Sequence, residues 1–140
     1  MINKHLALLD WLNTCPLLTS PMLMDSLETD QESIAVIPTQ CEEYITRYIR
    51  GSGYKRYQFE IHAILAVSSN DDEVNTNNTY LLDTWRNWLE EQDKIHNYPD
   101  FGEECSGYSI ENLSSTPNIV EKYDSGYAKY RFSSAINYYC

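Results

Sequence analysis

The sequence predicts an α+β fold: a mostly antiparallel sheet of about six strands packed by two helices, over about 2–13 and 78–93. Three observations carry that expectation. Residues 57–67 and 128–138 alternate apolar and polar side chains with a period of two, as strands with one face on a core do. Leu81, Leu82, Trp85, Trp88 and Leu89 fall on one stripe of a helix. The chain has 140 residues, the length of one domain, so residues 1–140 read as a single unit with a single core.

The elements follow in order. From Ile2 to Asn13 the period is helical: Ile2, Leu6 and Leu9 share a face that Leu8, Trp11 and Leu12 widen, while Asn3, Lys4, Asp10 and Asn13 lie mainly outside it. Pro16 ends this helix, because proline pushes the residue before it out of the helical region. Leu17–Asp25 is apolar but carries Pro21, which predicts an irregular connection. Leu17, Met22 and Met24 suit either a strap over the core or an arm that packs on another molecule. Glu32–Pro38 is a β-branched run closed by proline and reads as a strand. Tyr44–Arg50 alternates loosely into Gly51-Ser52-Gly53, whose glycines supply the positive φ of a tight turn, so residues 43–67 read as a hairpin. Asp71, Asp72 and Glu73 open a polar stretch leading to the second helix, with Asn77 or Asn78 as its cap. Its two tryptophans should lie across the sheet face that carries Phe59 and Ile61. Gly107–Leu113 and Ile119–Tyr123 are strands, Asp124-Ser125-Gly126 is a turn, and Ala128–Tyr138 is the long closing strand.

Composition narrows the function classes. Ten Lys and Arg stand against 21 Asp and Glu, a net charge of −11. That balance excludes groove reading of nucleic acid by clustered positive charge, and docking on anionic membranes. The apolar fraction of 42% and charged fraction of 22% exclude disorder. No apolar stretch approaches the ~20 residues of a membrane span. Leu6–Leu12, broken by Asp10, does not make a signal peptide. Cys15, Cys41, Cys105 and Cys140 are far apart and form no C-x-x-C pair, which excludes a zinc ribbon or thioredoxin motif. The expectation is four reduced thiols in a cytosolic protein.

Candidate chemistry is sparse. Asp100-Phe101-Gly102 spells the metal-binding tripeptide of protein kinases, but the glycine-rich loop, strand lysine and catalytic loop are missing, so a turn is expected there. His5, His62 and His96 lack metal-ligand spacing, and His62 lies on the polar face of its strand, where a solvated side chain is expected. No nucleophile elbow, phosphate loop or calcium loop occurs. No catalytic, cofactor-binding or metal-binding residue is nominated, and no cofactor is expected. What remains is a pattern of surfaces: abundant tyrosine, and long strands whose edges must be covered, blunted or paired with another copy.

Several local phrases and the order of elements together resemble the tail terminator, or tail-completion, proteins of long-tailed bacteriophages, also filed as minor capsid proteins. The phrases are Leu8-Leu9-Asp10-Trp11-Leu12-Asn13, the strand Ile34–Pro38, the glycine turn leading into Tyr57-Gln58-Phe59-Glu60-Ile61-His62-Ala63, the Asn-rich helix start, Trp88-Leu89-Glu90-Glu91-Gln92, Tyr98-Pro99-Asp100-Phe101-Gly102, and a last strand closing on Tyr138. The likeness spans nearly the whole chain. It implies a structural virion protein rather than an enzyme, without cofactor. Such proteins form a ring, typically a homohexamer, that caps the tail tube at full length and gives the surface for joining the head. The implied partners are the tail tube protein, a head-completion or connector protein, and genomic DNA sliding through the pore without specific binding, with no membrane. The implied place is the head–tail junction of the virion, assembled in the host cytoplasm. Six copies would carry about −66 around that pore, a like charge that keeps DNA from sticking. As interface or lumen candidates the sequence offers Leu17, Met22 and Met24 in the arm, and Asp71, Asp72 and Glu73 in the acidic loop.

Three other classes fit parts of the pattern. One is a different head–tail joining component. Another is a DNA-mimicking inhibitor, although the acids are spread along the chain rather than arrayed in rows. The last is a small ligand-binding module or enzyme with a pocket between the Trp85/Trp88 helix and the sheet, for which His62 is the sole titratable candidate.

Overall fold

Alternate residues from Tyr57 to Leu65 become one buried face of strand β3 (Gly53–Ala66) in the computed structural model. The structure describes residues 3–18, 21–25, 27, 31–47, 53–67, 72–113 and 118–140, with backbone alone for 40–47, 72–74 and 118. Two helices and six strands, nearly all antiparallel, make up these residues, so the fold is α+β.

The closing strand, β6 (Tyr127–Tyr139), pairs with β3 along its whole length, from Tyr54↔Tyr139 to Ala66↔Tyr127. Directly paired residues point the same way, so Tyr57, Phe59, Ile61, Ala63 and Leu65 share a face with Ile136, Phe132, Tyr130 and Ala128. All of these are buried, and each large apolar side chain so placed contributes about 1.5–3 kcal/mol. Strands β4 (Ser106–Asn112) and β5 (Asn118–Lys122) both lie on the far side of β6. β4 pairs with residues 134–139 and β5 with residues 128–131, so together they act as one interrupted edge strand. The β5–β6 turn closes with Tyr123 N donating to Tyr127 O, and Gly126 takes φ +88°, a value its missing Cβ permits.

β2 (Ser33–Arg47) is one bulged strand rather than the two separate runs expected from the sequence. Pro38 does not end it. It sits at the first register shift, on a strand whose outer side, among the described residues, is paired at Ala35 and Val36 by β1 (Leu23–Met24), the kind of edge and bulge that tolerate a missing N–H. The hairpin joins β2 to β3 as expected, and its Gly51-Ser52 turn lies outside the described residues.

Helix α1 runs Lys4–Leu12, shorter than 2–13 because Asn3 is its cap: the Asn3 side chain accepts from His5 N and Leu6 N. Its buried stripe is Leu8, Trp11 and Leu12, continued by Cys15, whereas Leu6 is 51% exposed. The spacing of 8, 11, 12 and 15 makes an unbroken row; of the expected face, Leu8, Trp11 and Leu12 are buried and Leu9 packs partly against the core, while Ile2 lies outside the described residues.

Helix α2 runs Asp72–Lys94 and starts six residues before the expected 78. The backbone of Asp72 and Glu73 therefore heads the helix instead of lying in a loop. Asn78 is no cap. Two turns into α2, its Nδ2 donates to Ala66 O at 2.6 Å and to Tyr130 Oη at 3.4 Å. Both helices cover the same sheet face, with Trp11 and Trp88 at 5.1 Å between ring centroids.

The expectation of four reduced thiols is corrected in one respect. Cys105 and Cys140 are joined as a disulfide between the start of β4 and the last residue of the chain. They are 35 residues apart in sequence, and only the β4–β6 pairing brings them face to face. Cys15 is a buried thiol whose pKa burial pushes up.

Candidate assembly surfaces

The seam between α2 and the middle of the sheet is filled over Ile61. Leu12, Cys15, Leu18, Met22, Trp85, Trp88 and Leu89 close over Ile61 and leave about 10 Å³. Further along, a cavity of about 100 Å³ remains between Leu81 and Trp85 of α2 and Ile34 and Leu65 of the sheet, small for the pocket a ligand-binding module would carry, and the rest of the seam is filled. The connection after α1 is the material that fills it. Asn13 holds this strap at both polar atoms, accepting from Met22 N at 2.7 Å and donating to Met22 O at 3.3 Å. Trp85 Nε1 donates to Leu17 O at 3.4 Å.

The opposite sheet face has neither helix on it. Tyr54, Tyr108 and Tyr139 cluster edge-to-face at one end, with centroids 5.2 Å apart. Beside them Arg56 bridges Glu111 at 3.1 Å and donates to Asn137 Oδ1, while Asn137 Nδ2 donates to Ser109 Oγ. Burial first, then the charges of Tyr54 and Glu111, pushes up the pKa of Tyr108, opposed by Arg56. Further along, Glu60 accepts from His62 Nε2 at 3.1 Å and from Ser133 Oγ, with Arg131 at 3.9 Å. His62 is 9% exposed, not solvated as the alternation implied: its cross-strand neighbours Ala35 and Arg131 and the Glu60 carboxylate enclose it.

A groove of about 590 Å³ runs between α1 and the 98–100 segment, with Leu6, Ala7 and Trp11 as its apolar floor and Asp10 and Asp100 on its rim. Tyr98 forms its wall and fastens the end of α2 to β4. The Tyr98 hydroxyl donates to Asp93 Oδ1 at 2.8 Å and lies 3.0 Å from Tyr108 O, and the same Asp93 oxygen accepts from Ile110 N. Gly107 lies under the ring, where a Cβ would come within 2.5 Å of Tyr98 Cβ. Burial, with the Asp93 hydrogen bond and charge behind it, raises Tyr98 from the ordinary 10 to about 12. A folded pKa above the unfolded value means this contribution is present below pH 10 and is lost as pH rises through about 12. Tyr98→Phe is expected to delete a phenol that titrates above the ordinary 10 in an ultraviolet difference titration and to flatten the fall of stability over that alkaline window. An unchanged titration curve would refute the assignment.

The sheet's two outer edges are the remaining surface. On one, β5 exposes Ile119 (43%) and Val120 (44%) beside Lys122. On the other, β1 exposes Leu23 (45%) beside Asp25, which takes φ +53° and donates its N–H to Val36 O.

Of the residues nominated from the sequence, Met22 is 4% exposed and lies in the chain's own core, with Leu17 and Met24 partly buried against it. Asp71 lies outside the described residues; Asp72 and Glu73 are placed by backbone alone at the head of α2. The strap and the acidic positions are thus not brought together by any described contact. Sequence reasoning missed Leu23, Ile119 and Val120, and the one signal for them was a short apolar run in a segment too brief to bury it. Among the described residues, no cluster of three or more His, Cys, Asp or Glu could hold a metal, and no helix is long and apolar enough to cross a membrane. A scan against protein-family models finds no match to this chain, and a search of the curated proteins finds none either.

Proposed function

We propose that this chain acts by assembly rather than by catalysis: copies close into a ring, hexameric in the simplest case, that caps the tail tube of a long-tailed phage and offers a surface to the head. The observation that carries this reading is the sheet whose two outer edges are unpaired among the described residues, each bearing exposed aliphatic side chains. Edges of that kind invite pairing with another chain, and a head-to-tail contact between unlike edges generates a ring when its rotation closes. The resemblance of the sequence phrases to tail terminators supplies the tail tube and the head connector as the partners. No cofactor is needed for such a role. The net charge of −11 per copy suits a passage for DNA that must not stick.

The test is solution mass by light scattering across concentration, then negative-stain microscopy, alone and with purified tail tubes. A ring with a central hole, or a ring formed on the tube end, is the expected result. A strict monomer that ignores tail tubes would sink the reading. Binding to the head connector without binding to tubes would make it another head–tail joining component.

A second reading, a ligand-binding module, draws on the groove beside α1, where Trp11 Nε1 is buried without a partner. A small molecule retained by the purified monomer and displaced by Leu6→Trp would favour it.

A further inference from the structure

We propose that the groove between α1 and the 98–100 segment docks a basic segment of a partner protein, laid in extended form with its Lys or Arg side chains on the rim; this stands apart from the ring reading above. Along α1 the lining follows one stripe from Asn3 to Thr14, about 16 Å at the helical rise, which accommodates about five residues of extended chain. The charges on the two walls have one sign. Asp10 on α1 and Asp100 across from it are exposed carboxylates, and no described residue lining the groove is basic. Glu103 and Glu104 are exposed just beyond Asp100. Of the bases nearest in sequence, Lys4 lies over the Tyr138 ring at 5.2 Å, Lys94 is exposed at the end of α2, and His96 Nδ1 is 3.3 Å from the Tyr98 hydroxyl. Asp100 Oδ1 accepts from Gly102 N at 3.0 Å, which orients a carboxylate that still has lone pairs for a cation. Between the two carboxylates the floor is apolar, with Leu6 51% exposed, so the alkyl stem of a basic side chain can lie along it while the charged end reaches the rim. Trp11 adds a different contact. Its indole forms part of that floor at 7% exposure, and its Nε1 has no hydrogen-bond partner. An indole N–H donates and never accepts, so the group that completes it is an acceptor such as a peptide carbonyl. Carboxylates for cations and an N–H for a carbonyl together complement a basic peptide, whereas a free polyamine offers no carbonyl.

Calorimetric titration of the full-length protein at low salt tests this with three probes: the end-blocked peptides Leu-Arg-Leu-Lys-Leu and Leu-Glu-Leu-Glu-Leu, and spermidine. The basic peptide is expected to bind about tenfold or more tighter than either of the others, and to weaken as salt is added. Asp10→Asn with Asp100→Asn is expected to weaken it by about tenfold or more. The amide oxygen at position 100 keeps the Gly102 contact, so the urea midpoint of this variant should match the parent's. Ala7→Arg puts a cation on the floor from within the chain and is expected to abolish binding. As an independent readout, the indole N–H resonance of Trp11, assigned with Trp11→Phe, should shift on adding the basic peptide by more than that of Trp85, whose N–H already donates to Leu17 O. Spermidine that binds as tightly as the basic peptide would make this a small-amine site and overturn the peptide occupant. Self-association of the parent that is lost in the Asp10→Asn, Asp100→Asn variant would put a second copy in the groove and overturn the outside partner. Binding of neither peptide, equal binding of both, or binding that survives the double variant and Ala7→Arg overturns the proposal.

Discussion

Trp88→Ala is expected to lower the unfolding free energy by about 3–5 kcal/mol, a large share of the roughly 5–15 kcal/mol of a domain this size. Trp88 lies where three elements meet. Its ring packs against Trp11 of α1, and with Leu12, Trp85 and Leu89 it roofs Ile61 of the central strand. The cost combines lost burial with a cavity, and the cavity term is set by how far the neighbours can relax. They have little room to do so. Leu89, Leu12 and Ile61 are each at most 3% exposed, and the strap behind them is pinned by Asn13 and Trp85. Helix α1 has nine residues and gains little from its own hydrogen bonds, so its place depends on this contact. Urea unfolding is the measurement. The midpoint should fall with the slope unchanged, and the near-ultraviolet signal of the tryptophan pair should vanish in the native baseline. Leu6→Ala, on the side of α1 that is 51% exposed, should stay within about 0.5 kcal/mol of the parent. A Trp88→Ala midpoint equal to that of the parent would refute the packing.

How much was legible depended on whether one element's own pattern decided the matter. The Leu82–Trp85–Leu89 stripe and the alternation in β3 and β6 are local signals, and they place the core where the structure has it. The start of α2 was missed because Asn75, Thr76, Asn77 and Asn78 have weak helix propensity and favour caps. The backbone is nonetheless helical from 72, and Asn78 is held by β3 and β6, which no local pattern can announce. The burial of His62 has the same origin: alternation assigns the face correctly, while the cross-strand neighbours decide what covers it. Edges are less legible still. Ile119 and Val120 read as an ordinary strand, and only the strand order makes them an outer edge.

The disulfide carries the other large effect. Cys140→Ser, or reduction of the parent, is expected to cost about 4 kcal/mol, from the chain entropy released when a link spanning 35 residues is opened in the unfolded state. Spacing in the sequence gave no hint of it, since the pairing of β4 with β6 is what brings the chain end to position 105. Native contacts at that end are already dense. Cys140 exchanges both backbone hydrogen bonds with Gly53, at 2.9 and 3.1 Å, and Tyr139 packs edge-to-face on Tyr54. The opened form should therefore keep its fold near neutral pH and show its loss as a lower urea midpoint. The linked and opened forms should also be compared for self-association in solution. Three measurements separate this from an ordinary side-chain loss. The intact parent should weigh two hydrogens less than its reduced form. Reductant should lower the parent's midpoint to that of Cys140→Ser, and leave Cys140→Ser itself unmoved. Cys105→Ser should match Cys140→Ser, and the double variant should cost no more than either, because one bond is removed in every case. A parent midpoint indifferent to reductant, or single variants whose effects add, would show that the two thiols are not linked.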